Sequence, residues 1–344
     1  MSNLLSINKL EMGMILDQDV VEPNTGVTLV ASNMAITKTL IQNLMNNQIE
    51  EVFIKDEEIP IEKYNGPLMD KYAKVEEKLD HLFIKVKNGK KIAASGIIND
   101  MKDFIDEVTS ERDILTQMRL LKKKDDYTFN HSLGVSTLSI SLGKWLNYSS
   151  KEIEDLAIAG LFHDIGKLKI PDEIINKPGN LTEEEFEIMK KHPFHSYKML
   201  SESGKFNDDI LLGVLQHHEK MDATGYPNKV TGDRIHKYAK IIAICDIYHA
   251  LTSRKVYRDR ENPLKVAEYL REESFTRLDP YMTQVFLKNI SKFYVGNKVV
   301  LSTGEIGIIV YVHPQDGTKP IVKVADRFID FLKVQDIEVV DIII

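Results

Sequence analysis

Residues 150–167 read SKEIEDLAIAGLFHDIGK, and this stretch decides the fold. Ile153, Leu156, Ala157, Gly160, Leu161 and Asp164 fall at i, i+3, i+4, i+7, i+8 and i+11. That is the stripe of a helix with one face in a core. The stripe closes on His163-Asp164, so the register turns a carboxylate inward. A buried carboxylate is costly unless it is paired or bound to a metal.

The same pattern recurs on both sides. His131, Val135, Leu138, Leu142 and Trp145 share a face, as do Leu211, Val214, Leu215 and His218. Ala239, Ile242, Ala243, Asp246 and Ala250 form another. Thr182-Glu183-Glu184-Glu185 is a capping box that opens a further helix, and His192-Pro193 follows it. Residues 125–293 therefore predict an all-α bundle. Upstream, 67–124 reads as a helical linker. Leu68, Tyr72, Val75, Leu79, Leu82 and Val86 follow an a/d spacing, and Gly89 and Gly96 mark a break. The run is short for a coiled coil, so packing inside a bundle is preferred and a homodimer helix is a hypothesis. Residues 1–66 read as a small α+β domain, with strands at Val27–Val30 and Val52–Ile54 and a helix from Thr37 to Asn47. Residues 294–344 read as a small β-barrel-like extension. Its strands are Lys298–Leu301, Ile306–Val310 and Ile321–Val324, with turn chemistry at Thr303-Gly304 and Asp316-Gly317.

Composition narrows the function. At roughly 150 residues per domain, 344 residues suggest about two domains. The 45 basic and 52 acidic residues give a net charge of −7, a poor surface for long nucleic acid. The single cysteine, Cys245, rules out a disulfide framework and Cys-rich metal sites. Met1–Leu5 lacks the basic start of a secretory signal, and no apolar run approaches the roughly 18 residues of a membrane span. The expectation is a cytoplasmic protein with no membrane contact.

The inward polar residues carry the chemistry. A lone inward histidine is ordinarily a hydrogen-bonded core residue. Here four segments bring imidazole to one interior, through His131, His163, His192 and His217-His218, and Asp164 and Asp246 add carboxylates. Adjacent helical ligands diverge by about 100°, so one pair serves two neighbouring metals with Asp164 between them. Mixed N/O ligands suit Fe, Mn, Ni or Zn better than Mg or Ca. Two such ions acidify a water and clamp the oxygens of an in-line displacement at phosphorus. Lys167, a turn beyond, is a cation for the phosphoryl oxygens.

His163-Asp164-Ile165-Gly166-Lys167, Pro178-Gly179, His192-Pro193, His217-His218-Glu219 and Gly225-Tyr226-Pro227 together resemble the HD-GYP family. Tyr127–Ser132 and Ala250–Ser253 fit the same pattern. The resemblance spans roughly 125–290. It implies a mainly α protein with an HD-type all-α catalytic bundle between the two small flanking domains. It implies a phosphodiesterase that hydrolyses cyclic di-GMP to pGpG or GMP by attack of a metal-bridged hydroxide. The implied metal ligands are His131, His163, Asp164, His192, His217, His218 and Asp246, holding two divalent ions. Iron or manganese is expected first, zinc or nickel otherwise. Lys167 takes the catalytic lysine's place, and Gly225-Tyr226-Pro227 that of a substrate and protein-partner loop.

The chain departs from the family at several positions. Tyr127 stands where members with a third metal carry a carboxylate, which favours two metals. Ala223 replaces a usual glycine. His249 replaces an aspartate three residues after Asp246, where it would orient Asp246, contact substrate or carry a proton, or be a tolerated polar exchange. Lys255 replaces a phosphate-contacting arginine, with Arg258 retained as a second cation; Tyr226, Tyr257 and Arg258 are candidate guanine contacts. No departure removes a metal ligand, so an active enzyme is expected. The alternatives are a non-catalytic effector that binds a cyclic dinucleotide or a protein, and a hydrolase of a related cyclic dinucleotide.

Overall fold

The computed structural model describes residues 2–10, 14, 16–22, 28–30, 32, 36, 38–47, 49–55, 67–92, 95–110, 127–253, 261–313 and 316–343. They divide into two units, Asn65–Glu261 with Lys265–Asn289, and Met1–Tyr64 with Asn262–Leu264 and Ile290–Ile344. The helices in chain order are α1 (Lys38–Asn46), α2 (Pro67–Lys87), α3 (Ser95–Ser110), α4 (Tyr127–Trp145), α5 (Ser150–Phe162), α6 (Asp172–Ile175), α7 (Glu183–Met189), α8 (His192–Ser201), α9 (Asp208–Gln216), α10 (Lys237–Thr252), α11 (Pro263–Glu273) and α12 (Pro280–Ile290). A 3-10 turn, Ile165–Lys169, follows the His-Asp pair. Among the described residues no helix is long and apolar enough to cross a membrane.

In the helical unit, α5 starts at a capping box. Glu152 N–H donates to Ser149 Oγ at 3.3 Å and Ser149 N–H to Glu152 Oε2 at 2.9 Å. Small residues then let α4 lie close: Ser136 Oγ donates to the Ala157 carbonyl at 2.7 Å. Helix α10 is buried nearly all round, through Tyr238, Ala239, Ile241, Ile242, Ala243, Ile244, Cys245 and Tyr248. A helix apolar on every side belongs inside a bundle, and α10 carries Asp246 there. Cys245 is fully buried, and burial pushes its thiol up, away from the thiolate a metal needs. Thr182 and Glu185 form the expected capping box at the start of α7.

The a/d residues Leu68, Tyr72, Val75, Leu79, Leu82 and Val86 are all buried along α2. The seam is filled from within the chain: Tyr72 meets Phe104 of α3 edge-on at 6.1 Å, and Lys71 and Lys74 pair with Glu107 and Asp100 of α3 at 2.6 and 2.8 Å. Gly89, with φ +79°, follows the end of α2; Gly96 lies in the first turn of α3.

In the second unit, β1 (Ser2–Ser6) pairs antiparallel with β4 (Glu51–Lys55), and β2 (Val20–Val21) with β3 (Thr28–Val30). Ile7, Leu16, Ile36, Leu44, Val52 and Ile54 form their core. The C-terminal strands are β5 (Lys298–Leu301), β6 (Ile306–His313), β7 (Asp316–Val324), β8 (Arg327–Asp330) and β9 (Val339–Ile343). They make one antiparallel sheet in the order β8-β7-β6-β5-β9, with β8 and β9 at its ends. Gly304, with φ +85°, sits in the turn between β5 and β6 as its residue type suggests. Asp316-Gly317 does not make a turn: both residues open β7, where Asp316 Oδ1 accepts from Thr318 N–H at 3.1 Å.

Candidate metal centre

Five segments meet in the helical unit. His131 lies inside α4, His163 and Asp164 end α5, His192 opens α8, His217 and His218 follow α9, and Asp246 sits mid-way along α10. Three of these histidines share one local device. His163 Nδ1 is 2.8 Å from the Gly160 carbonyl, His192 Nδ1 2.8 Å from that of Met189, and His217 Nδ1 2.7 Å from that of Val214. Each carbonyl is three residues back, in a last helical turn whose carbonyls lack helical partners. A carbonyl only accepts, so each Nδ1 carries the proton. The Nε2 lone pair is thereby left facing the interior, the tautomer a metal requires.

The inward atoms are mostly acceptors. His192 Nε2 lies 3.3 Å from His217 Nε2 and 3.2 Å from Asp164 Oδ1. On the other side of the same carboxylate, Asp164 Oδ2 is 3.3 Å from His163 Nε2 and 3.7 Å from His131 Nε2. Asp246 Oδ1 is 3.0 Å from His131 Nε2 and 4.0 Å from His163 Nε2. Two ligand groups result, Asp164 with His192, His217 and His218, and Asp164 with His131 and His163; within each, the ligand atoms lie within 4.8 Å of one another. Asp164 belongs to both and offers one oxygen to each.

This donor set fits metal cations. His163 Nε2 and Asp164 Oδ1 are buried atoms that receive no hydrogen bond, a costly arrangement unless a cation satisfies them. Burial pushes His217 down to about 3, aided by the charges of His163 and His192. Burial holds His218 low in the same way. Burial alone would raise Asp164, but the charges of His163 and Lys167 outweigh it and keep the carboxylate ionised. Asp246 is also ionised, since its bond to His131 overcomes the burial that would raise it. Burial would lower His163, yet the Asp164 charge beside it raises it, a field that favours any cation at Nε2.

Lys167 reaches the centre, with its Nζ 2.5 Å from Asp164 Oδ2. His249 is placed behind the centre: its Nδ1 is 3.1 Å from Nδ1 of His131, and it is 7% exposed. Its ring faces the ligand histidine His131. Tyr226 stacks on His218 at 4.7 Å with 29° between ring planes, and meets His192 edge-on at 6.3 Å. Tyr226 N–H donates to the His218 carbonyl at 3.2 Å, Gly225 packs on that backbone, and the Tyr226-Pro227 bond is cis. Lys255, Tyr257 and Arg258 lie outside the described residues, as does the side chain of Tyr127.

Ser196 and Phe186 matter beyond the residues singled out from sequence, and Glu219, named only as part of a motif, gains a role. Glu219 is buried, and its carboxylate accepts from the N–H groups of Asn228, Lys229 and Val230 at 2.6, 3.1 and 3.2 Å. It clamps the segment after Pro227. Its place after His217-His218 was a visible signal, since a carboxylate at a helix end facing a turn often caps main-chain donors. Ser196 Oγ donates to the His163 carbonyl and accepts from Gly166 N–H, both at 2.8 Å, tying α8 to the His-Asp turn. Phe186, 46% exposed on α7, meets Tyr226 edge-on at 6.3 Å.

Ala223 has φ +60°, so the position does require the left-handed backbone that its usual glycine supplies. A non-glycine residue there costs about 1–2 kcal/mol. Ala223→Gly is expected to raise the unfolding free energy by about 1 kcal/mol, measured by urea denaturation of the metal-free protein.

A family model described as HD domain matches residues 104–282, just over half of the chain. The chain belongs to the HD-domain family. The relatives of this HD domain fit its centre. A cyclic di-GMP phosphodiesterase of Pseudomonas aeruginosa is 33% identical over 226 residues, 64% of this chain and 54% of the relative. A 3′3′-cGAMP-specific phosphodiesterase of Vibrio cholerae is 35% identical over 173 residues, 50% of this chain and 40% of the relative. The chain thus spans about half the length of these curated relatives. A solved HDG“Y”P protein from Bdellovibrio bacteriovorus superposes with a TM-score of 0.55 at 14% identity, over 83% of this chain and 98% of that one, which shows the shared fold.

Proposed function

We propose that this HD domain is a binuclear metallophosphodiesterase that hydrolyses a cyclic dinucleotide, cyclic di-GMP first, to pGpG or GMP. The observation that carries this reading is Asp164, whose two oxygens each face a separate set of imidazoles. His131, His163, Asp164 and Asp246 would hold one ion, and His192, His217 and His218 with Asp164 the other, iron or manganese in preference to zinc or nickel. When bound, such a pair acidifies water and stabilises charge on phosphodiester oxygens. The chain supplies the rest. Lys167, half-exposed beside Asp164, is the cation that faces a bound phosphate. Tyr226 and Phe186 offer aromatic surface beside His218, suited to a nucleobase. The relatives' names support the substrate class, and they include both cyclic di-GMP and 3′3′-cGAMP.

The test is anaerobically purified protein loaded with iron(II) or manganese(II), given cyclic di-GMP and 3′3′-cGAMP separately, with products resolved by chromatography. Metal-dependent appearance of linear dinucleotide or mononucleotide is expected. Bound metal and bound nucleotide without turnover would replace this reading with a cyclic-dinucleotide effector.

A further inference from the structure

We infer that His249 is a positioning residue: it braces the His131 imidazole from behind and so sets how tightly the metal subsite of His131 and His163 is held. The inference rests on the two-metal reading above. His163, His192 and His217 each fix Nδ1 on a carbonyl at a helix end. His131 lies inside α4, where main-chain carbonyls are engaged by N–H groups four residues on. Its Nδ1 instead faces Nδ1 of His249 at 3.1 Å, while its Nε2 faces Asp246 at 3.0 Å. Asp246 and His249 are one turn apart on α10, so a single helix holds both nitrogens of one ligand.

The brace has no room to move. A Cβ on Gly134 would lie 2.0 Å from His249 Nε2 and 2.4 Å from its Cδ2. Gly134 is three residues after His131, so α4 presents the ligand and, on the same face, the notch into which the bracing ring fits. Glycine in a helix interior weakens it, so the notch has a cost that His249 explains. Ser253 Oγ lies 3.3 Å from the same His249 Nδ1. To leave the His131 Nε2 lone pair free, His131 Nδ1 must donate and His249 Nδ1 must accept. With a cation at His131 Nε2, His249 then takes the place behind His131 that the carbonyls take behind its neighbours.

Elemental analysis and manganese(II) titration test this, together with thermal melts of the metal-free proteins. Wild type is expected to hold two ions. His249→Ala should remain folded and weaken the second ion 10–100-fold, the usual effect of losing a hydrogen-bond partner behind a ligand. His249→Asp, which restores an acceptor, should recover most of that loss. Gly134→Ala should lower Tm when His249 is present and have little effect in the His249→Ala background, because the clash is then gone. Two ions held equally well by wild type and His249→Ala, or an equal Tm loss from Gly134→Ala in both backgrounds, would overturn the inference and leave the metal centre standing. A wild type that binds no manganese would overturn the metal centre itself.

Discussion

Asp164→Asn is expected to strip the protein of at least one of its two metals and to lower turnover by at least about 10³-fold. The substitution preserves shape almost atom for atom, so the effect is electronic. Asparagine keeps one carbonyl oxygen and replaces the other with a donor. Whichever way it sits, one set of imidazoles loses its oxygen and meets N–H groups. The affected distances are short, 3.2 Å to His192 Nε2 on one side and 3.3 Å to His163 Nε2 on the other. Losing about 4 kcal/mol of transition-state stabilisation is a factor near 10³, and each catalytic metal supplies several kcal/mol. Elemental analysis and turnover measured on the same preparation check the two parts separately. A mutant that keeps its metals and its rate would mean the centre lies elsewhere. Lys167→Ala is a contrast, since it removes the ion pair at Asp164 Oδ2 but leaves every ligand in place.

Gly166→Ala is the second large effect, and it acts on the fold of the centre. Gly166 lies in the turn after Asp164, and its φ is not in the left-handed region. Its difficulty is contact. A Cβ there would lie 2.1 Å from the His192 carbonyl oxygen and 2.4 Å from Ser196 N. Both are main-chain atoms of α8, which cannot rotate aside as a side chain would. Helix α8 must retreat, breaking the two Ser196 bonds to the turn and carrying His192 off Asp164. Overpacking of this kind costs about 3 kcal/mol, and the lost hydrogen bonds about 1 kcal/mol each. A Tm lower by roughly 10 °C is expected at about 2–4 °C per kcal/mol, with loss of at least one metal. Differential scanning calorimetry and elemental analysis measure the two. An unchanged Tm would show that the turn does not press on α8.

The periodicity of the apolar residues places the helices, and with them the inward register of His131, Asp164, His218 and Asp246. The reason is physical: a 3.6-residue repeat and a capping box are local, and a helix that buries one stripe has one way to face. The C-terminal strands at Ile306 and Ile321 are legible on similar grounds, whereas Asp316-Gly317 misleads because turn residues also open strands. What the residue string hides is pairing across distance. His249 shares a face with Asp246 by spacing alone, but its partner, His131, is 118 residues away in a different helix. The tautomers of His163, His192 and His217 depend on where three helices end, to within one residue. That residues 1–64 share a unit with 290–344 likewise has no local signature.

The clamp made by Glu219 bears on how this loop tolerates change. Its carboxylate holds the main-chain N–H groups of Asn228, Lys229 and Val230 and none of their side chains. Any residue except proline presents the same N–H at Asn228 and Val230, while Lys229, with φ +53°, also needs a residue that tolerates the left-handed backbone. Side chains at Asn228 and Val230 are free to be exchanged, by drift or by an engineer, while Tyr226 stays stacked on His218. Novelty at the rim of the centre is in this way uncoupled from damage to it.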